Sequence, residues 1–153
     1  MRLVTLLFLL LLTLPARARL GETEDQSIAR YGQPISVKDV DGENDYRTLE
    51  FRKNGYFIMA YFLNGKCALL GLNKDDKSEF SDNEIQALLD DNSEGHAWAK
   101  NDTNSTNREW DRDDGALAQY YIFKDSLFIC TKNYIIAENI RKKAVEDKKL
   151  QGF

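Results

Sequence analysis

Residues 46–72 read YRTLEFRKNGYFIMAYFLNGKCALLGL, with Asn-Gly at 54–55 and again at 64–65 between three apolar runs. An Asn-Gly pair is a two-residue hairpin signal, because a type I′ turn needs positive φ at both central positions and these residues tolerate it best. Two such turns specify three antiparallel strands. They also fix the register, and with side chains alternating along each strand the register decides which residues share a face.

With a two-residue turn at 54–55, Arg52 falls opposite Phe57 and Phe51 opposite Ile58. With another at 64–65, Phe62 falls opposite Cys67 and Ala60 opposite Leu69. One face then carries Leu49, Phe51, Ile58, Ala60, Phe62, Cys67 and Leu69, which suits a core covered by helices. The other mixes Thr48, Glu50 and Arg52 with Phe57, Met59, Tyr61, Ala68 and Leu70.

Helix starts are marked twice. Thr23-Glu24-Asp25-Gln26 has the form of a capping box, predicting a helix from about Glu24 to Tyr31 that Gly32 and Pro34 terminate. Ser81-Asp82-Asn83-Glu84 repeats the device before an Ile85, Leu88, Leu89 stripe, with Asn92 near the end. Sixty residues beyond the first Asn-Gly turn stands Asp114-Gly115, and Lys124-Asp125 bears the same relation to the second. The chain is therefore expected to hold two tandem α-β-β-β units, about 21–73 and 80–132, forming one antiparallel sheet with helices on one face. A last helix is expected over about 133–149, packing by a narrow stripe of Ile136, Ile140 and Ala144, with Glu138-Lys142 and Lys142-Glu146 pairs on its wet side. The whole is an α+β domain over 19–153.

Carried into the second unit, the same faces put Ala118, Tyr120, Ile122, Leu127 and Ile129 inside. Trp110, Arg112, Leu117, Gln119, Tyr121, Phe128 and Cys130 then fall on the open side. Cys67 and Cys130 land on opposite faces, and a disulfide, whose Cα atoms must approach to roughly 4.4–6.8 Å, is not expected between them.

The N-terminal MRLVTLLFLLLLTLPARA has a basic residue, an apolar run, a Pro break and a small-residue Ala16-Arg17-Ala18 site, the layout of a secretory signal peptide cleaved after Ala18. The run is shorter than the ~20 apolar residues of a spanning helix, so no stable membrane insertion is expected after cleavage. No cysteine near the cleavage point offers a lipid anchor. Loss of Arg2 and Arg17 takes the formal charge from −4 to −6. An acidic chain without a basic stripe is a poor nucleic-acid binder.

The stretch Gly21-Glu22-Thr23-Glu24-Asp25-Gln26-Ser27-Ile28-Ala29-Arg30-Tyr31-Gly32-Gln33-Pro34 resembles the opening of the SmpA/OmlA domain, which begins G-x-T-x-x-Q-V and closes its helix with G-x-P. Gly21, Thr23, Gln26, Gly32 and Pro34 match in spacing, and Ser27 stands at the family's apolar position. Two such units in tandem resemble the β-lactamase-inhibitor-protein-like architecture. The resemblance implies a small exported bacterial protein, secreted or periplasmic, and offers cell-envelope assembly accessory as one reading of its role.

The residues themselves show little chemistry. His96 is the sole histidine, sits in a turn-like Ser93-Glu94-Gly95-His96, and has no nucleophile motif around it. One His and two distant Cys do not make a structural zinc site. Asp39 to Glu50 places oxygen ligands at several positions of a calcium-loop template, but Asn44 stands where the sharp turn needs Gly. Asn101-Asp102-Thr103 and Asn104-Ser105-Thr106 match the glycosylation sequon within a polar loop. No cofactor, metal or catalytic residue is expected, although a carboxylate-dependent hydrolase is an alternative in so acidic a chain. The expected function is non-catalytic binding of a protein partner through the open sheet face. Phe57, Met59, Tyr61, Trp110, Tyr121, Arg52 and Arg112 are the expected contacts, being of the types enriched at interfaces.

Overall fold

The computed structural model describes residues 20–41, 45–101 and 107–150. The expected leader at 1–18, Asn44 and the sequon-bearing 102–106 lie outside the described residues. Helix α1 (Glu24–Tyr31) precedes strands β1 (Ser36–Lys38), β2 (Arg47–Lys53), β3 (Tyr56–Leu63) and β4 (Lys66–Lys74). Helix α2 (Asp82–Asp91) precedes β5 (Trp98–Asn101), β6 (Asn107–Arg112), β7 (Leu117–Tyr121) and β8 (Ser126–Cys130), and α3 (Lys132–Leu150) ends the chain. Each half thus has one strand more than the sequence suggests. β1 and β5 are short edge strands, too brief to leave an alternation of their own.

Both capping boxes form. The Thr23 hydroxyl accepts from the Gln26 amide and the Gln26 side chain accepts from the Thr23 amide, and Ser81 and Glu84 do the same at α2. These bonds satisfy amides that the first helical turn leaves without a partner. Both Asn-Gly turns adopt positive φ at both residues, 52° and 82° at 54–55 and 52° and 72° at 64–65. Lys53 pairs with Tyr56 and Leu63 with Lys66, as two-residue turns require.

The eight strands form one antiparallel sheet in the order β1-β2-β3-β4-β8-β7-β6-β5, with β4 and β8 joining the halves at its centre. Helices α1 and α2 cover one face, the inner face, through Ile28, Tyr31, Ile85, Leu88 and Leu89 against Leu49, Phe51, Ile58, Leu70, Leu127 and Ile129. The N-terminal segment ties into the same layer: Leu20 is buried, and the Gly21 amide donates to the Cys67 carbonyl at 2.7 Å.

Three turns and bulges alter the expected faces. Phe62 lies opposite Cys67, but Tyr61 lies opposite Leu69, so Ala68 is the extra residue of a β-bulge. Leu70, not Leu69, is therefore in the core beside Ala60, and Leu69 faces outward. Asp114-Gly115 is not a two-residue turn. The Arg112 amide donates to the Ala116 carbonyl across a three-residue loop, with Gly115 at φ 90°. One added loop residue flips the whole preceding strand. Trp110 accordingly pairs with Ala118 and is buried in the core, and Arg112 points to the helix-covered side, correcting the expectation that both lie on the open face. Between β7 and β8, Tyr121 pairs with Ser126, leaving a four-residue loop that contains a 3-10 turn at Ile122–Lys124. Ile122 leaves the core side for the surface, while Leu127 and Ile129 stay inside.

Helix α3 lies over the opposite, outer face. Its expected packing stripe is not the side it turns to the sheet: Ile136 is 46% and Ile140 66% exposed. Tyr134, Ile135, Glu138, Asn139 and Lys142 line its sheet-facing side instead. Glu138 pairs with Arg141 in place of the expected Lys142. Both cysteines are free and buried, Cys67 within the inner core and Cys130 beside Leu69 on the outer side.

Candidate functional site

The outer face is built as rows of cross-strand neighbours. The row beneath α3 runs Thr48, Tyr61, Leu69, Cys130, Leu117 and Asp111 from β2 to β6. The next runs Glu50, Met59, Gly71, Phe128, Gln119 and Glu109. The third runs Arg52, Phe57, Asn73, Ser126, Tyr121 and Asn107. Gly71 has no side chain of its own at the centre. Phe128 and Met59 lean over it so closely that a Cβ there would meet Phe128 Cε1 at 3.1 Å and Met59 Cε at 3.3 Å. This packing makes a continuous aromatic and thioether strip, with Tyr121 edge-on to Phe128 at 5.6 Å between centroids. Phe57, Met59, Tyr61, Tyr121 and Phe128 are all half-buried.

Helix α3 is held at one end of this face. Tyr134 packs against Tyr46 at 5.3 Å, Tyr46 packs edge-on to Tyr61 at 6.3 Å, and the Tyr46 hydroxyl donates to Glu138. Arg141 pairs with both Glu138 and Asp45. Burial and the adjacent Glu138 carboxylate push the Tyr46 phenol up to about 12, so it remains a donor at neutral pH. Arg141 in turn holds the Glu138 carboxyl below its ordinary range. No residue of α3 is fully buried.

Between α3 and the sheet runs an open groove of about 470 Å³. Leu69, Leu117, Tyr121, Phe128 and Tyr134 give it an apolar lining, and Lys124 and Lys142 stand at its rim. Cys130 also lines it, but burial pushes its thiol up to about 11, so the nucleophilic thiolate is scarce at neutral pH. Lys124 also borders a second depression of about 390 Å³, lined by Arg52, Phe57 and Phe123. Lys124 thus stands at the border of both concavities.

Of the seven residues expected at the site, Arg52, Phe57, Met59, Tyr61 and Tyr121 occupy this face. Arg52 stacks on Phe57 at 5.8 Å and pairs with Asp75. Trp110 and Arg112 are brought instead to the helix side. There Arg112 is a structural anchor: its guanidinium donates to the Asn92 carbonyl at 2.6 Å, to Glu94 and to both oxygens of Asp114, and lies over Trp98. Two aromatic members of the face were not among the expected contacts. Phe128 is signalled by its alternation in β8. Phe123, 85% exposed, has no pattern to reveal it, since it depends on the four-residue loop.

Other clusters are already occupied. His96 Nδ1 bonds the Asp113 carboxylate, whose second oxygen accepts from the Ala97 amide, and Asp114 is forked by Arg112. A ring nitrogen of His96 and a carboxylate oxygen each of Asp113 and Asp114 lie within 4.8 Å of one another. Their hydrogen bonds join the turn after α2 to the β6–β7 loop, and Asp113 and Asp114 are both held below their ordinary values by these partners. A cleft of about 540 Å³ on the helix side lies between α1 and α2 over Ile58, Leu70 and Leu72, and the Lys53 amine at its mouth donates to the Arg30 carbonyl.

Among the described residues no helix is long and apolar enough to cross a membrane. No protein-family model matches the chain, and no curated protein matches it. A crystal structure of a cysteine-rich secretory protein from Staphylococcus aureus subsp. aureus Mu50 is similar at 11% identity and a TM-score of 0.43, over 76% of this chain and 46% of that one. The chain thus spans less than half the length of that structure, and a likeness of this extent identifies neither family nor function.

Proposed function

We propose that this chain is an exported, non-catalytic module that binds a protein partner on the outer face of its sheet. The observation that carries the reading is the half-exposed strip of Phe57, Met59, Phe128 and Tyr121, whose Phe128 and Tyr121 line the groove beside α3. A sheet face that only needed shielding from water would carry polar side chains in its open rows. Here those rows hold large aromatic and Met side chains beside Arg52, the types that dominate interface hot spots. Export follows from the leader-like residues 1–18.

The test is crosslinking in the native envelope with the parent and with a Phe57→Ala, Tyr121→Ala, Phe128→Ala variant whose circular dichroism and urea midpoint remain close to the parent's. Loss of the parent's specific crosslinked species supports the reading. The same species captured with the same yield by the folded variant overturns it.

A further inference from the structure

The groove beside α3 has an unusual division of charge. Its floor is apolar, and the helix side turned toward it adds Glu138, Asn139 and Lys142 to Tyr134 and Ile135, while the apolar Ile136 and Ile140 are exposed. Glu138 is neutralised by Arg141 and bonded by Tyr46. Lys142 on the helix and Lys124 on the β7–β8 loop form no salt bridge with any described residue, in a chain of formal charge −4. Of the charged side chains that line the groove itself, two are these lysines and the third is the Arg141-paired Glu138, while Glu109 and Asp111 stand beyond it on β6. Lys124 also borders the depression lined by Phe57 and Phe123, so an occupant that reaches Lys124 has further apolar surface ahead of it. A small amphiphile is ordinarily enclosed over most of its surface. An open trough with a second depression on the far side of Lys124 suits a longer chain.

We infer that the partner docks by a segment with an apolar anchor flanked by carboxylates, the anchor on Leu117, Tyr121 and Phe128 and the acids on Lys124 and Lys142. This rests on the protein-binding reading above and adds the chemistry of the bound segment. The lysines select by charge, and their exposure makes the selection sensitive to salt. The aromatic floor supplies the apolar contact.

Fluorescence polarisation with the leaderless protein and labelled synthetic peptides tests it. One peptide carries a Leu-Phe anchor between Asp and Glu residues, a second the same anchor between Lys residues, and a third the acids with Ser in place of the anchor. The first peptide is expected to bind best. A Lys124→Glu, Lys142→Glu variant is expected to weaken it by about tenfold, as two exposed ion pairs allow, and to improve the second peptide. Equal binding of the first two peptides, an unchanged affinity in the variant, or no binding of any peptide overturns the inference. So does lysine-dependent binding of dodecanoate without binding of the acidic peptide, which assigns the groove to a small amphiphile. A dimer of the unliganded protein in sedimentation that the charge reversal dissociates assigns the face to a second copy. The protein-binding reading itself survives if the envelope crosslink is lost in the aromatic variant but kept in the lysine variant.

Discussion

The Tyr46 hydroxyl donates to Glu138 Oε1 at 2.9 Å, across 92 residues of sequence, and so fastens α3 to the segment that enters β2. Since α3 buries no residue fully, this bond, the Arg141 pairs and the Tyr134 ring contact are specific ties of the helix to the rest of the chain. A Tyr46→Phe variant keeps the ring contacts and loses only the hydrogen bond. Hydrogen bonds to charged groups are worth ~1.5–3 kcal/mol when buried, and this half-exposed one is expected to contribute about 1 kcal/mol. Hydrogen exchange is expected to speed up in α3 and to stay unchanged in β3, β4 and β8. An α3 protected as well as in the parent would show that the bond does not hold the helix.

Acid is expected to loosen the second half of the molecule. The Ser81 amide, then Lys74 and the Ser81 hydroxyl, hold the Glu84 carboxyl at about 2, against its ordinary 4.5. Arg112 is the main cause that holds Asp114 at about 2, against 3.8. Both folded values are depressed, so the unfolded chain binds protons first as pH falls. The stabilisation is fully present above about pH 4.5 and disappears as pH falls toward 2. The urea midpoint should drop across that window, and Glu84→Gln, which keeps a capping-box side chain but cannot titrate, should give a lower neutral midpoint with a shallower fall. Parallel curves for parent and variant would refute the role given to Glu84.

How far these features could be read in the chain follows from how local each one is. The capping boxes at Thr23 and Ser81, and the Asn54-Gly55 and Asn64-Gly65 turns, depend on residues adjacent in sequence, and they form where the residues require. The inner residues from Leu49 to Cys67 follow from those turns. The Ala68 bulge has no residue signature, so Leu69 and Leu70 exchange faces unannounced. Asp114-Gly115 is ambiguous in principle, because an αL glycine serves a two-residue turn and a three-residue loop equally. Lys124-Asp125 lacks the glycine a tight turn favours, and only Asp125 takes positive φ, at 47°. The stripe of α3 misled for a different reason: helical periodicity shows that Ile136 and Ile140 share a side and says nothing of which side the sheet receives.

Arg112 is expected to be among the least replaceable side chains. It is 2% exposed and meets the Asn92 carbonyl, Glu94 and Asp114 at once, tying the end of α2 to the β6–β7 loop. Arg112→Met removes the cation and leaves those acceptors without it, a change that costs about 3–5 kcal/mol at buried pairs. Arg112→Lys is expected to recover little, because one ammonium cannot reproduce the planar fork that engages both Asp114 oxygens. Urea denaturation of the three proteins checks this, and a Lys variant as stable as the parent would show that charge alone suffices there.

Trp110 and Phe57 separate the two faces most sharply, since both are large aromatics on neighbouring halves of one sheet. Trp110 is 7% exposed and packed into the core opposite Ala118, because the three-residue β6–β7 loop turns β6 over. Phe57 is half-buried opposite Asn73 on the outer face, with Arg52 over its ring. Trp110→Ala therefore opens a core cavity and is expected to cost about 3–5 kcal/mol, whereas Phe57→Ala vacates a surface site that water can fill and is expected to cost about 1 kcal/mol or less. In partner-binding assays the order reverses. Phe57→Ala should weaken binding by about 1–2 kcal/mol at an unchanged fold, and Trp110→Ala should act only through the fraction that unfolds. A folded Trp110→Ala protein with lost binding and normal stability would place Trp110 on the outer face and contradict the three-residue loop.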